Sequence, residues 1–203
     1  TVTLNRIDKR QITGTIGDRK RTIEPNVKIV LYQALLKSDR FEFVLQKCTE
    51  IGVSVFVPIL CERCITRKIS TSKIQRWEKV IAEATEQSGR GVTPALQPVI
   101  SFNDACNSTN GASFIASVDP GSIQLSSTLQ SKPFLYSHSM VSIFIGPEGG
   151  FTADESDLAQ RCGIQKVTLG PRVLRAETAG MVATTAVLYE YGELDRPPTG
   201  IKL

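Results

Sequence analysis

The chain has 203 residues, of which 41% are hydrophobic, and a formal charge of +4; that suffices for one good-sized domain with a small appendage. No apolar run approaches the roughly 20 residues that cross a bilayer, which excludes a protein built on membrane-spanning helices. The five cysteines at 48, 61, 64, 106 and 162 are scattered and odd in number, which excludes a disulfide framework and fits a reducing compartment. No signal-peptide pattern opens the chain, so the expected location is the cytoplasm.

The mild net charge hides an asymmetry. Residues 1–79 carry 16 Lys/Arg against 8 Asp/Glu, and residues 80–203 carry 8 against 12. A basic first half points to a polyanion partner, nucleic acid first, rather than to a merely solvated surface.

In chain order, residues 1–8 and 11–16 alternate apolar and polar positions around Gly14, and Gly17-Asp18 marks a turn. This reads as a short antiparallel β segment, too small to be stable alone. Glu24-Pro25 is a plausible linker, dividing the chain into 1–25 and 26–203. Residues 27–36 form a continuous apolar run suited to a buried parallel strand. Asp39 and Glu42 open a helix whose Phe41, Val44, Leu45 and Cys48 share one face, and Gly52 ends it. Residues 53–60 read as a strand, followed by a basic connection with Arg63, Arg67 and Lys68. Ser72 with Gln75 signals a second helix, with Ile74, Trp77, Ile81 and Ala84 on one face and Gly89 as its C-cap. Trp77 is read as core. A short helix over 101–106 and a strand over 112–118 follow, while the Ser-rich stretch 122–139 has no clear period; its His138 reads as a surface residue.

Two units then repeat one plan. An apolar run at 141–145 enters the glycine-rich turn 146–150, and a second at 166–169 enters Gly170-Pro171. Each turn feeds a helix, the first through Thr152 and Glu155 in capping-box spacing, the second over about 177–191. The last helix carries an Ala-rich stripe of Ala179, Val182, Ala183, Ala186 and Val187, suited to close packing against a strand layer or a second subunit. Strand, glycine turn and helix in succession build ligand sites at the carboxyl ends of strands. The alternation from residue 27 onward implies an α/β domain with a mainly parallel sheet. Cys61-Glu-Arg-Cys64 has the spacing of a zinc half-site or a redox pair, but a structural zinc needs two more ligands and no second such pair exists. No metal is expected. The turns also lack the Gly-Lys-Ser/Thr ending and the Gly-x-Gly-x-x-Gly pattern of phosphate-binding loops.

The strings 145–155 (Ile-Gly-Pro-Glu-Gly-Gly-Phe-Thr-Ala-Asp-Glu) and 169–179 (Leu-Gly-Pro-Arg-Val-Leu-Arg-Ala-Glu-Thr-Ala) resemble the RsmE family. These are small-subunit ribosomal RNA uracil-N3 methyltransferases of the SPOUT superfamily. Segments 46–52, 61–65 and 86–90 match further family patterns in the same order. The resemblance implies an S-adenosylmethionine-dependent enzyme with a C-terminal α/β trefoil knot, acting as a homodimer on ribosomal RNA within the small subunit. It also implies a PUA-like N-terminal β-barrel that helps hold RNA, of which residues 1–25 are an incomplete part.

Under that resemblance, Gly146, Pro147, Glu148, Gly149, Gly150, Leu169, Gly170, Leu174 and Ala179 are the expected cofactor contacts. Arg175 is the expected catalytic cation, stabilising charge on the deprotonating uracil ring. Glu177 either orients Arg175, assists proton removal or complements the helix N-terminus. Arg63, Arg67, Arg90 and Arg172 are expected to grip RNA phosphates. The readings left open are a ribose 2′-O or other RNA base methyltransferase of the same superfamily, and a non-catalytic RNA-binding ribosome-assembly protein.

Overall fold

The computed structural model describes residues 2–17, 24–131 and 140–195. Strands β1 (Val2–Ile7) and β2 (Ile12–Ile16) pair as the expected antiparallel hairpin, a two-stranded sheet of their own. Asp8 closes its turn, accepting from the backbone N–H groups of Arg10 and Gln11. Val2, Leu4, Ile7, Ile12 and Ile16 remain exposed on it.

The remaining strands form one eight-stranded sheet, parallel at every pairing. They are β3 (Lys28–Ala34), β4 (Val55–Leu60), β5 (Ala95–Leu96), β6 (Ile100–Ser101), β7 (Ala112–Ala116), β8 (Ile123–Gln124), β9 (Met140–Ile145) and β10 (Gln165–Thr168). The helices are α1 (Arg40–Ile51), α2 (Thr71–Ser88), α3 (Phe102–Asn107), α4 (Leu125–Ser131), α5 (Ala153–Arg161) and α6 (Ala176–Glu190). The strand order is β5-β4-β3-β9-β7-β10-β8, with β6 also on β4. The late strand β9 therefore lies between two strands made earlier, and its register on β3 runs from Lys28↔Met140 to Gln33↔Ile145.

Both faces of the central strands are covered, which is why they read as unbroken apolar runs. Alternation along β3 sorts the layers. Leu31 and Gln33 face α6, where Gly180 has no Cβ because Gln33 Oε1 would lie 3.2 Å from it. Tyr32 faces the other way, stacked 4.3 Å from Phe144, which meets Phe102 of α3 edge-on. Trp77 is core, as expected, with its ring 4.3 Å from Phe41.

Caps follow the residues. Gly52 (φ +128°) and Gly89 (φ +70°) end α1 and α2. The N-cap of α2 is Ser70, not Ser72: its hydroxyl accepts from the Lys73 N–H. Capping-box spacing is complete at α5, where Thr152 and Glu155 each accept from the other's backbone N–H. The apolar stripe expected on α6 is only partly right. Ala179, Ala183 and Val187 are buried together with Gly180 and Thr184, but Val182 is exposed. Part of the stretch 122–139 folds as β8 and α4; His138 lies outside the described residues.

Candidate cofactor site

The turns after β7, β9 and β10 leave the same edge of the parallel sheet, and together they line one cavity of about 620 Å³. That size suits a drug-sized ligand or cofactor. All nine expected contacts line it: Gly146, Pro147, Glu148, Gly149, Gly150, Leu169, Gly170, Leu174 and Ala179. Gly150 (φ +68°) and Gly170 (φ +112°) hold backbone angles that residues with a Cβ rarely adopt. A Cβ on Gly146 would press within 3.1 Å of the Phe151 ring.

Arg63, Arg172, Arg175 and Glu177 also reach the cavity. Arg63 does so differently from the phosphate-gripping role expected. Its Nη1 donates to the Gly149 carbonyl at 2.7 Å and to that of Phe151 at 3.3 Å, so it anchors the glycine turn to the loop after β4. Glu155 ties the same two segments, because its Oε1 accepts from the Glu62 N–H at 2.8 Å while Oε2 serves the capping box. Arg67 is outside the cavity and donates to the Glu62 carbonyl of its own loop.

Arg90 is a correction. Its Nε and Nη2 donate to Glu24 Oε2, and its Nη1 donates to the carbonyls of Thr49 at 2.9 Å and Val53 at 2.7 Å. The side chain is only 9% exposed. It joins Glu24 to the carboxyl ends of α1 and α2 and has no face turned toward a phosphate.

Two features of the cavity were not read from the sequence. The carboxyl end of β7, with Ala116, Ser117, Val118 and Asp119, forms one wall; the rule that ligands sit beyond parallel strand ends was the available signal. Arg40, the first residue of α1, also lines it. Arg40 Nη1 lies 3.5 Å from Glu148 Oε1, and Nε lies 3.9 Å from Glu177 Oε1. Arg175 Nη1 approaches that same Glu177 oxygen at 4.0 Å, yet its own side chain is 77% exposed on the rim. Glu177 Oε2 is buried without a hydrogen-bond partner, a state that normally signals a missing donor.

Cys61 and Cys64 are both buried free thiols, and the Cys61 N–H donates to Cys64 Sγ at 3.3 Å. The hydrogen bond with Cys61 brings the Cys64 thiol down to about 7, while the same contact and burial push Cys61 up. Among the described residues no group of three or more His, Cys, Asp or Glu is arranged to hold a metal ion. None of the described helices is long and apolar enough to cross a membrane.

A parallel sheet with glycine turns converging on one edge cavity defines an RNA methyltransferase domain here, since the family model of that description matches residues 23–188. Ribosomal RNA small subunit methyltransferase E of Mesomycoplasma hyopneumoniae is 33% identical over 168 residues, covering 80% of this chain and 70% of that protein. The Synechocystis protein of the same name is 32% identical over 184 residues, covering 87% of this chain. The chain spans 57% of the Synechocystis relative's length. A crystal structure of the Neisseria gonorrhoeae enzyme bound to S-adenosyl methionine superposes with a TM-score of 0.83 at 31% identity, over 93% of this chain and 77% of that one. The chain belongs to the ribosomal RNA small subunit methyltransferase E family, whose methyl donor is S-adenosylmethionine.

The residues present fit that donor. The cavity has the volume, and its glycine turns bring backbone polar groups close to a ligand.

Proposed function

We propose that the protein methylates N3 of a specific uridine in small-subunit ribosomal RNA. The observation that carries this reading is the convergence of the 146–150 and 169–175 turns on one cavity with Arg175 and Glu177 at its edge. S-adenosylmethionine, when bound, supplies an electrophilic methyl group on a sulfonium. The turns hold it, with Glu148, Leu169, Leu174 and Ala179 completing the walls. Catalysis is then largely alignment of the methyl carbon with the nucleophilic nitrogen.

Uracil N3 must lose its proton before it can attack, and the ring oxygens take up the charge. Arg175, exposed on the rim, meets that charge as a cation. Glu177 lines the cavity beside Arg175, which places its carboxylate to orient the base or take its proton. Arg172, on the exposed part of the second turn, contacts phosphate.

The same reading covers architecture. The insertion of β9 between β3 and β7 supports a C-terminal trefoil knot of the SPOUT type. The exposed Val182 and Tyr189 of α6 support a homodimer using that helix. Residues 1–25 form part of a PUA-like RNA-holding domain, and 26–203 form the methyltransferase domain. The exposed apolar positions of the β1–β2 hairpin support that division, because a sheet with an uncovered apolar face is completed by further structure. The setting is the cytoplasm, on the small ribosomal subunit.

The test is incubation of small subunits lacking uridine N3 methylation with protein and methyl-labelled S-adenosylmethionine, followed by mass mapping of the RNA. A single N3-methyluridine is expected. Label on a ribose 2′ oxygen, or none with an active family member run in parallel, overturns the reading.

A further inference from the structure

We infer that Arg40 is a positioning residue of the methyl-transfer site, holding the two cofactor turns together and keeping Arg175 free for the substrate; this rests on the function proposed above. Three observations carry it. Arg40 is within ion-pair range of Glu148, in the turn after β9, and of Glu177, in the first turn of α6. Among the described residues no other cation reaches both carboxylates in this way. The loop that delivers Arg40 is itself built to do so. Ser38 adopts φ +60°, unusual for a residue with a side chain, and the Lys37 N–H donates to the same Glu148 Oε1 at 3.2 Å.

The second part of the inference is a competition. Arg40 and Arg175 approach one oxygen of Glu177 at nearly equal distance, 3.9 and 4.0 Å. Both separations are longer than hydrogen bonds, so these are Coulombic pairs. With Arg40 present, Glu177 has a cation on the α1 side and Arg175 can stay on the rim. Without Arg40, Glu177 is left with Arg175 alone, and the attraction draws that guanidinium inward, away from a base presented at the cavity mouth.

Charge gives the inference a signature that packing does not share. The methyl donor carries a cationic sulfonium, and the product S-adenosylhomocysteine carries a neutral thioether in its place. A guanidinium lining the cavity disfavours the sulfonium relative to the thioether. Removing it therefore raises the preference for the donor over the product, whatever happens to the shape of the turns.

The experiment compares wild type, Arg40→Ala and Arg40→Lys. Calorimetry gives the affinity of each for S-adenosylmethionine and S-adenosylhomocysteine, turnover is measured at saturating donor and RNA, and thermal midpoints are recorded alongside. Arg40→Ala is expected to lose at least about 10-fold in saturated turnover and to raise the donor-to-product affinity ratio about 3-fold or more. Arg40→Lys is expected to restore the ratio, which follows charge, but only part of the turnover, because an ammonium cannot span two carboxylates as the planar fork does. An unchanged ratio with both affinities and the midpoint falling together, or full recovery of turnover by Lys, overturns the inference. Failure of wild type to bind either ligand overturns the cofactor reading instead, and shows before any variant is compared.

Discussion

Replacing Arg63 by Ala separates two roles that its charge alone cannot distinguish. The side chain makes a 2.7 Å bond from Nη1 to the Gly149 carbonyl and a weaker one at 3.3 Å to Phe151. A hydrogen bond with one charged partner contributes about 1.5–3 kcal/mol. Arg63 is exposed, so solvent screening brings the contribution below that range, to about 1–1.5 kcal/mol. Lost from the turn that lines the cavity, this corresponds to a weakening of S-adenosylmethionine binding by about 5- to 10-fold. Calorimetry measures that affinity directly. The rival role is a phosphate contact. Its loss would leave the cofactor affinity intact and lower the slope of log affinity for RNA against log salt by about 0.7–0.9. A variant with normal cofactor affinity and a flattened salt slope refutes the anchoring argument. A double-mutant cycle sharpens the test, because a Cβ on Gly149 would sit 3.3 Å from Arg63 Cδ. Gly149→Ala should cost less cofactor affinity in the Arg63→Ala background than alone.

Three further outcomes are expected. Arg90→Ala takes the cation from Glu24 and the donor from the Thr49 and Val53 carbonyls, so stability should fall by about 2–4 kcal/mol, lowering the thermal midpoint by about 5–15 °C in calorimetry, while RNA affinity per folded molecule holds. Gly170→Ala places a Cβ at φ +112° and should weaken cofactor binding about 10-fold, through the roughly 1–3 kcal/mol such strain costs, as read by titration with S-adenosylmethionine. Burial pushes the Cys48 thiol up to about 12. Above about pH 9 the unfolded chain releases this proton and the folded chain keeps it, so stability falls by up to about 1.4 kcal/mol per pH unit until the folded group also titrates. Cys48→Ala should flatten that alkaline slope in denaturant titrations between pH 9 and 11.

What could be read in the sequence was whatever is encoded locally. The strands are apolar runs because both of their faces are covered. Gly52 and Gly89 end helices because positive φ is needed there, and Thr152 with Glu155 carries its cap within four residues. The two glycine turns announced the cavity for the same reason. Long-range order was not legible. Nothing in residues 140–145 says that they insert between β3 and β7, because a strand buried on both faces has no marked edge to identify its neighbours. Arginines were the least legible of all. Arg63, Arg67 and Arg90 look alike in sequence, yet the first holds a turn 86 residues away, the second its own loop, and the third a carboxylate 66 residues back. Arg40 was missed because its partners, Glu148 and Glu177, belong to turns that only the fold brings to it.

The basic excess of the first half has to be weighed against that distribution. Arg40, Lys47, Arg76, Lys79 and Arg90 are paired with carboxylates, and Arg63 with carbonyls. Pairing does not remove a charge, but with a carboxylate beside it the two act as a dipole, whose field at a distance larger than their separation is much weaker than that of a lone charge. Glu148 and Glu177, which neutralise Arg40, come from the acidic second half. The split of charge along the sequence is therefore partly undone in space, at the cavity itself. There, Arg172 and Arg175 extend from the second half onto the exposed rim. Under the function proposed above, the attraction for RNA at the point of methyl transfer comes from residues that the count by halves assigns to the acidic side. A footprint confined to residues 1–79 would meet the cavity only through Arg40 and Arg63, whose charges are held by Glu148, Glu177 and turn carbonyls, and the chemistry requires the base to reach the cavity.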